Sequence, residues 1–154
     1  MSPEFVRARL SPELESALRG IMTPKTFARG AVLYRHGTSA SGIYVIEQGS
    51  VRILLPTADN KHQLLEVAGN GAVLGLSESM SGGEYRVTAE ADDATRAAFI
   101  SRENFVQFLD TRHEFCMQVV RLLSENLHGL YHKFRNVSAH PGRPRRRVLD
   151  EQLN

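Results

Sequence analysis

Residues 71–91, GAVLGLSESMSGGEYRVTAEA, gather the side chains of this chain best suited to chemistry. Their layout is that of a phosphate-cradling loop between two strands. A buried phosphate needs several N–H donors and a fixed bidentate cation, or its desolvation cost dominates. The candidate ligand-facing residues here are Gly75, Leu76, Ser77, Glu78, Tyr85, Arg86, Val87 and Thr88. A second reading stays open, in which the segment is only structure. Leu74, Leu76 and Met80 are then core, and Ser81-Gly82-Gly83 is a turn. The run SGGEYRVTAE is nevertheless richer in glycine and polar groups than an ordinary turn requires.

Other constellations carry less. The six histidines (His36, His62, His113, His128, His132 and His140) are scattered, and no His-x-His pair occurs. His128 and His132 are spaced i, i+4, a spacing that can bind a metal ion, although a solvated helix surface is the simpler reading. No Gly-x-Ser-x-Gly, His-Glu-x-x-His or P-loop lysine pattern is present. The single cysteine, Cys116, excludes an internal disulfide and a cysteine-rich metal site, and reads as a small buried hydrophobe. An enzyme is not expected, and no cofactor or metal is assigned.

The elements that must hold the candidate loop follow from periodicity. Residues 10–23 predict a helix, with Ser11 as cap, Pro12 in the first turn, and Leu14, Leu18 and Met22 as an apolar stripe. Residues 26–101 predict short strands with regular turns. Val32 and Tyr34 share a face, and two strands flank Gln48-Gly49. HQLLEVAG is another strand, and two more flank Asp92-Asp93. Many short strands without intervening helices argue for a sandwich or barrel. Residues 102–137 then switch to helical period, with Phe105, Phe108 and Leu109 on one short helix.

A longer helix is expected from about His113 to Val137, ~37 Å at 1.5 Å per residue. Phe115, Val119 and Leu122 form one stripe, read as docking on the barrel. Cys116, Val120, Leu123, Leu127, Leu130, Phe134 and Val137 form a second, heptad-spaced seam. Each apolar side chain buried contributes ~1.5–3 kcal/mol, so such a seam can exceed the ~4–15 kcal/mol cost of association. A parallel homodimer through this helix is expected. The alternative is a helix wholly buried on its own barrel.

Composition sets the outer bounds. With 154 residues, 42% hydrophobic and 23% charged, the chain suits one globular domain. No apolar run approaches ~18 residues and no secretory signal is visible, so a cytoplasmic protein without a membrane partner is expected. Net charge is +2. Four arginines (Arg143, Arg145, Arg146, Arg147) and two acids in residues 141–154 account for it, which leaves 15 basic and 15 acidic residues in the body. A neutral body argues against nonspecific nucleic-acid binding by the main domain. The working division is residues 1–25 as an N-terminal helical segment, 26–101 as a β-roll sensor domain, 102–137 as C-terminal helices and 138–154 as a basic tail.

Helix, glycine-punctuated β-roll, short helix and long helix, in this order, resemble the cyclic-nucleotide-binding domain. More specifically the chain resembles the sensor half of Crp/Fnr-type (catabolite activator) bacterial transcription regulators. The residues that carry this are Gly37, the run IYVIEQGSVRILL, Gly71, AEADDATRAAFISRENFVQFL and the helix after it. The resemblance implies a mainly β fold: a double-stranded β-helix (jelly-roll) barrel with flanking helices and a long C-terminal dimerisation helix. It also implies a Gly-Glu-Leu segment whose carboxylate binds ribose, and an Arg followed by a small residue that binds the cyclic phosphate. Here Tyr85 falls where that Arg belongs, Arg86 where the small residue belongs, and Gly75 where the carboxylate belongs. Leu130 and Tyr131 fall where family members place hydroxyls against the purine, and would roof the pocket.

Cyclic nucleotide binding in the usual way is therefore disfavoured. A genuine cAMP or cGMP site would need Arg86 to take the arginine's role through a one-residue shift, or Glu78 to replace the missing acid. Such a shift turns every strand side chain to the other face. The expectation is an effector domain of a transcription regulator, a ligand sensor that reaches DNA only through a C-terminal DNA-binding part missing from this sequence. The rivals are a ligand-free dimerisation scaffold and, least favoured, a cupin-like metal enzyme.

Overall fold

The structure, a computed structural model, describes residues 9–125. Ser11 caps helix α1 (Pro12–Leu18): its hydroxyl accepts the Leu14 N–H at 3.1 Å, with proline in the first turn. A 3-10 turn, Arg19–Ile21, leads into strand β1 (Thr23–Phe27). Strands β2 (Val32–Tyr34), β3 (Gly42–Gln48), β4 (Val51–Pro56), β5 (His62–Ala68) and β6 (Val73–Leu74) follow. Helix α2 (Leu76–Ser81) precedes β7 (Thr88–Ala91) and β8 (Thr95–Ser101). Helix α3 (Arg102–Thr111) is capped by Ser101, whose hydroxyl accepts the Asn104 N–H. After a 3-10 turn, His113–Phe115, a fourth helix, α4, occupies 116–125.

The strands form two four-stranded antiparallel sheets, ordered β1-β8-β3-β6 and β2-β7-β4-β5. The fold is mainly β with flanking helices, as the turn spacing predicts. Each sheet contributes one face to a first core, which holds Tyr44, Ile46, Val51, Ile53, Leu65, Leu74, Ala89 and Ala97. The outer face of the β1-β8-β3-β6 sheet meets the helices in a second core. There Ile43, Val45 and Ile100 pack with Leu14, Leu18, Leu76, Phe105, Val119 and Leu122. This double covering explains β3. Residues Gly42 to Ile46 are all buried, because alternate side chains enter different cores.

The β3–β4 hairpin turns on Gly49, at φ 124°, where a Cβ would lie 2.5 Å from Thr95 Oγ1. No side chain fits that approach. In β2 the structure departs from the expected alternation. The pairing with β7 shifts register between Val32 and Tyr34, and Leu33 is buried beside Tyr34.

The α-helix begins at 116 and not at His113, which lies in the 3-10 turn; of the docking stripe Phe115 closes that turn and Val119 and Leu122 lie on α4, all three buried in the second core. Of the seam, Cys116 and Leu123 are partly buried, whereas Val120 is 51% exposed and its neighbour Met117 62% exposed. Leu127, Leu130, Phe134 and Val137 lie outside the described residues. Ser11 also donates to Gln118 Oε1 at 2.6 Å, tying the start of α1 to α4.

Candidate functional site

The candidate loop is a short helix in part. Gly75 stands before α2 in the left-handed conformation, at φ 81° and ψ 12°. Gly82 closes the helix in the same conformation, and its N–H donates to the Glu78 carbonyl at 2.9 Å. A left-handed residue at each end lets the chain enter and leave a six-residue helix abruptly. Leu76 is 2% exposed and Met80 packs against the same second core, so α2 is seated by its apolar face. Arg102 of α3 donates from Nε to the Ser79 carbonyl at 2.7 Å, which satisfies one of the last carbonyls of α2. Ser79 itself is 1% exposed and its hydroxyl has no hydrogen-bond partner.

Tyr85 is buried, at 3% exposure. Its ring stacks on Tyr34, with centroids 4.0 Å apart and planes 19° apart. Its hydroxyl donates to the Gly42 carbonyl at 2.7 Å and accepts from the N–H groups of Ser41 and Gly42, both at 3.1 Å. The Ser41 hydroxyl lies 3.4 Å from the same oxygen, a fourth polar neighbour. Gly75 closes against this ring: a Cβ there would lie 3.1 Å from Tyr85 Cε1 and 3.0 Å from the Gly42 carbonyl oxygen. Any side chain at 75, the carboxylate of a Glu included, would crowd Tyr85.

The aromatic filling continues inward. Tyr44 lies 5.8 Å from Tyr34 and 4.9 Å from Phe99, centroid to centroid, and its hydroxyl donates to the Leu33 carbonyl at 3.2 Å. Burial, then the nearby Tyr85 phenol, push the Tyr44 hydroxyl up to about 12.

The remaining candidate residues separate. Val87 is buried in the first core, and Thr88 is 6% exposed. Arg86, between the buried Tyr85 and Val87, is exposed. Its backbone N–H donates to Glu78 Oε2 at 3.4 Å, so the Glu78 carboxylate faces the Arg86 backbone. Ser77 is half-buried in α2, and Leu130 and Tyr131 lie outside the described residues. The structure thus brings Gly75, Glu78, Tyr85 and the Arg86 backbone together and leaves the Arg86 side chain in solvent. Tyr34, Ser41, Gly42 and Tyr44, which surround Tyr85, carry no local signal beyond the inward alternation of Tyr34 and Tyr44.

Two surface clefts of about 330 and 340 Å³ lie elsewhere, one lined by Arg9, Arg19 and Arg96, the other by Ser11, Gln118 and Arg121. Neither includes a residue of the 75–88 segment. Among the described residues no group of three or more His, Cys, Asp and Glu converges, which is what a cupin-like metal triad would need. No helix of the described residues is long and apolar enough to cross a membrane.

With this geometry in place, comparison with known proteins is informative. The cyclic nucleotide-binding domain model matches residues 24–112. A CRP-like cAMP-activated global transcriptional regulator of Mycobacterium tuberculosis is 25% identical over 118 residues, 77% of this chain and 53% of that protein. The chain spans about half the length of that curated relative. Among solved structures, the c-di-GMP-responsive global regulator CLP of Xanthomonas campestris superposes with a TM-score of 0.71 at 18% identity, over 80% of this chain and 61% of that one. The sensor domain of the regulator DNR of Pseudomonas aeruginosa gives 0.64 at 22% identity, over 80% and 83%.

Proposed function

This chain belongs to the cyclic nucleotide-binding domain family, and on that premise we propose that it is a non-enzymatic, homodimeric, cytoplasmic sensor domain of a Crp/Fnr-type regulator that does not hold cAMP or cGMP in the usual way. The observation that carries this reading is Tyr85. A neutral phenol, hydrogen-bonded to Ser41 and Gly42, occupies the sequence position to which the family resemblance assigns the phosphate-binding guanidinium. A phosphate at the Tyr85 hydroxyl would meet no cation in that hydrogen-bonded shell, and Arg86 is exposed.

Signal transmission uses the second core. Leu76 and Met80 of α2 pack in the same cluster as Phe115, Val119 and Leu122. A ligand that moves α2 would change how α4 seats, and α4 offers Val120 and Met117 to a twin helix. In a regulator that motion would reorient attached DNA-reading parts. The filled barrel favours one second reading, a dimerisation scaffold that takes no ligand.

Thermal denaturation with cAMP, cGMP and cyclic dinucleotides tests the proposal. cAMP and cGMP are expected to leave the midpoint unchanged. A ligand at 100 Kd adds ~2.7 kcal/mol, so a saturable rise of that size with cAMP would overturn the reading. A rise with a cyclic dinucleotide alone supports a retuned sensor over the scaffold.

A further inference from the structure

We propose that His36 and His62 form a two-imidazole site for a divalent transition-metal ion such as Zn²⁺ or Ni²⁺, on the surface of the β2-β7-β4-β5 sheet. The two residues come from opposite edges of that sheet. His36 follows β2, and His62 opens β5. The sheet curls enough to bring their rings together, with centroids 5.6 Å apart and planes 64° apart. Both side chains are exposed, so an ion can reach them. Imidazole nitrogen suits zinc, nickel and copper. One ion held ~2.1 Å from a nitrogen of each ring, at near-tetrahedral angles, sets the two centroids ~5–6 Å apart.

The His36 ring is anchored. The Thr88 hydroxyl accepts the His36 backbone N–H at 3.1 Å and also lies 3.1 Å from His36 Nδ1. Thr88 is 6% exposed and sits in β7, opposite Leu54 of β4. When Nδ1 carries the proton and donates to that hydroxyl, Nε2 keeps its lone pair for an ion. Such outer partners fix the tautomer and orientation of metal-binding histidines. His62 is held by its backbone, which pairs opposite Pro56 at the end of β4. No third His, Cys, Asp or Glu among the described residues joins the pair, so water would complete the coordination. The two imidazoles lie outside the 75–88 segment although Thr88 belongs to it, and the metal titration below contains no nucleotide, so its outcome is read separately from the cyclic-nucleotide proposal.

Isothermal titration of the full chain with Zn²⁺ and Ni²⁺ tests the site, in a H128A/H132A background that removes the other histidine pair. One ion per chain is expected. His36→Ala and His62→Ala should each weaken binding about tenfold or more, and Thr88→Val about tenfold. The two alanine variants should melt as the parent does without metal, because both side chains are exposed. Absence of binding in the parent, or affinities unchanged in both alanine variants, would overturn the proposal.

Discussion

The phenol of Tyr85 and the backbone of Gly42 are joined twice, the hydroxyl donating to the carbonyl at 2.7 Å and accepting from the N–H at 3.1 Å. The residues are 43 positions apart, so this link fastens the start of β3 to the segment that precedes β7. Tyr85→Phe keeps the ring on Tyr34 but removes the oxygen. The buried Gly42 N–H and carbonyl then lose a partner that solvent cannot readily replace, whereas Ser41 is exposed. A loss of ~1–3 kcal/mol is expected in urea denaturation. A change under ~0.5 kcal/mol, the range of an ordinary surface substitution, would contradict it.

Val120 tests the pairing surface. It is half exposed in the described chain, whereas Val119 beside it is 2% exposed. Val120→Arg should therefore leave the fold of the single chain within ~0.5 kcal/mol. Light scattering is expected to give twice the chain mass for the parent and the chain mass for the variant. A parent already at the chain mass, or a variant still at twice that mass, would remove α4 as the meeting surface.

Alkaline pH should weaken the fold through Tyr44. Its hydroxyl is raised from 10.0 to about 12 in the folded chain, first by burial and then by Tyr85. A folded value above the unfolded one means that the neutral phenol is favoured by folding. That contribution is whole below pH 10 and is lost as pH rises from 10 through about 12. Denaturation curves at steps across this window should fall more steeply for the parent than for Tyr44→Phe. Parallel slopes would show that Tyr44 does not titrate late.

Much of the frame was legible because local chemistry and long-range packing agree. Ser11 and Pro12 mark α1, Gly49 marks its hairpin, and Val119 and Leu122 mark the face of α4 that is buried. Helix α2 was not legible. Six residues are too few for a 3.6-residue period to show, and LSESMS between glycines reads as loop. The surroundings of Tyr85 were not legible. The Tyr85 partners, Ser41 and Gly42, lie across the sheet, and nothing in a one-dimensional pattern links them. The meeting of His36 and His62 was hidden for the same reason, since only the curl of the sheet joins its two edges.

The bond from Ser11 to Gln118 bears on how the domain can be trimmed. The family match covers residues 24–112, yet Leu14, Leu18, Val119 and Leu122, all buried in the second core, lie beyond both of its ends. A fragment cut to the matched span would keep α2 and α3 over β3 and β8 but strip Leu14, Leu18, Val119 and Leu122 from the core that covers Ile43, Val45 and Ile100. The smallest excerpt that keeps its outer sheet dry begins before Ser11 and continues past Leu122.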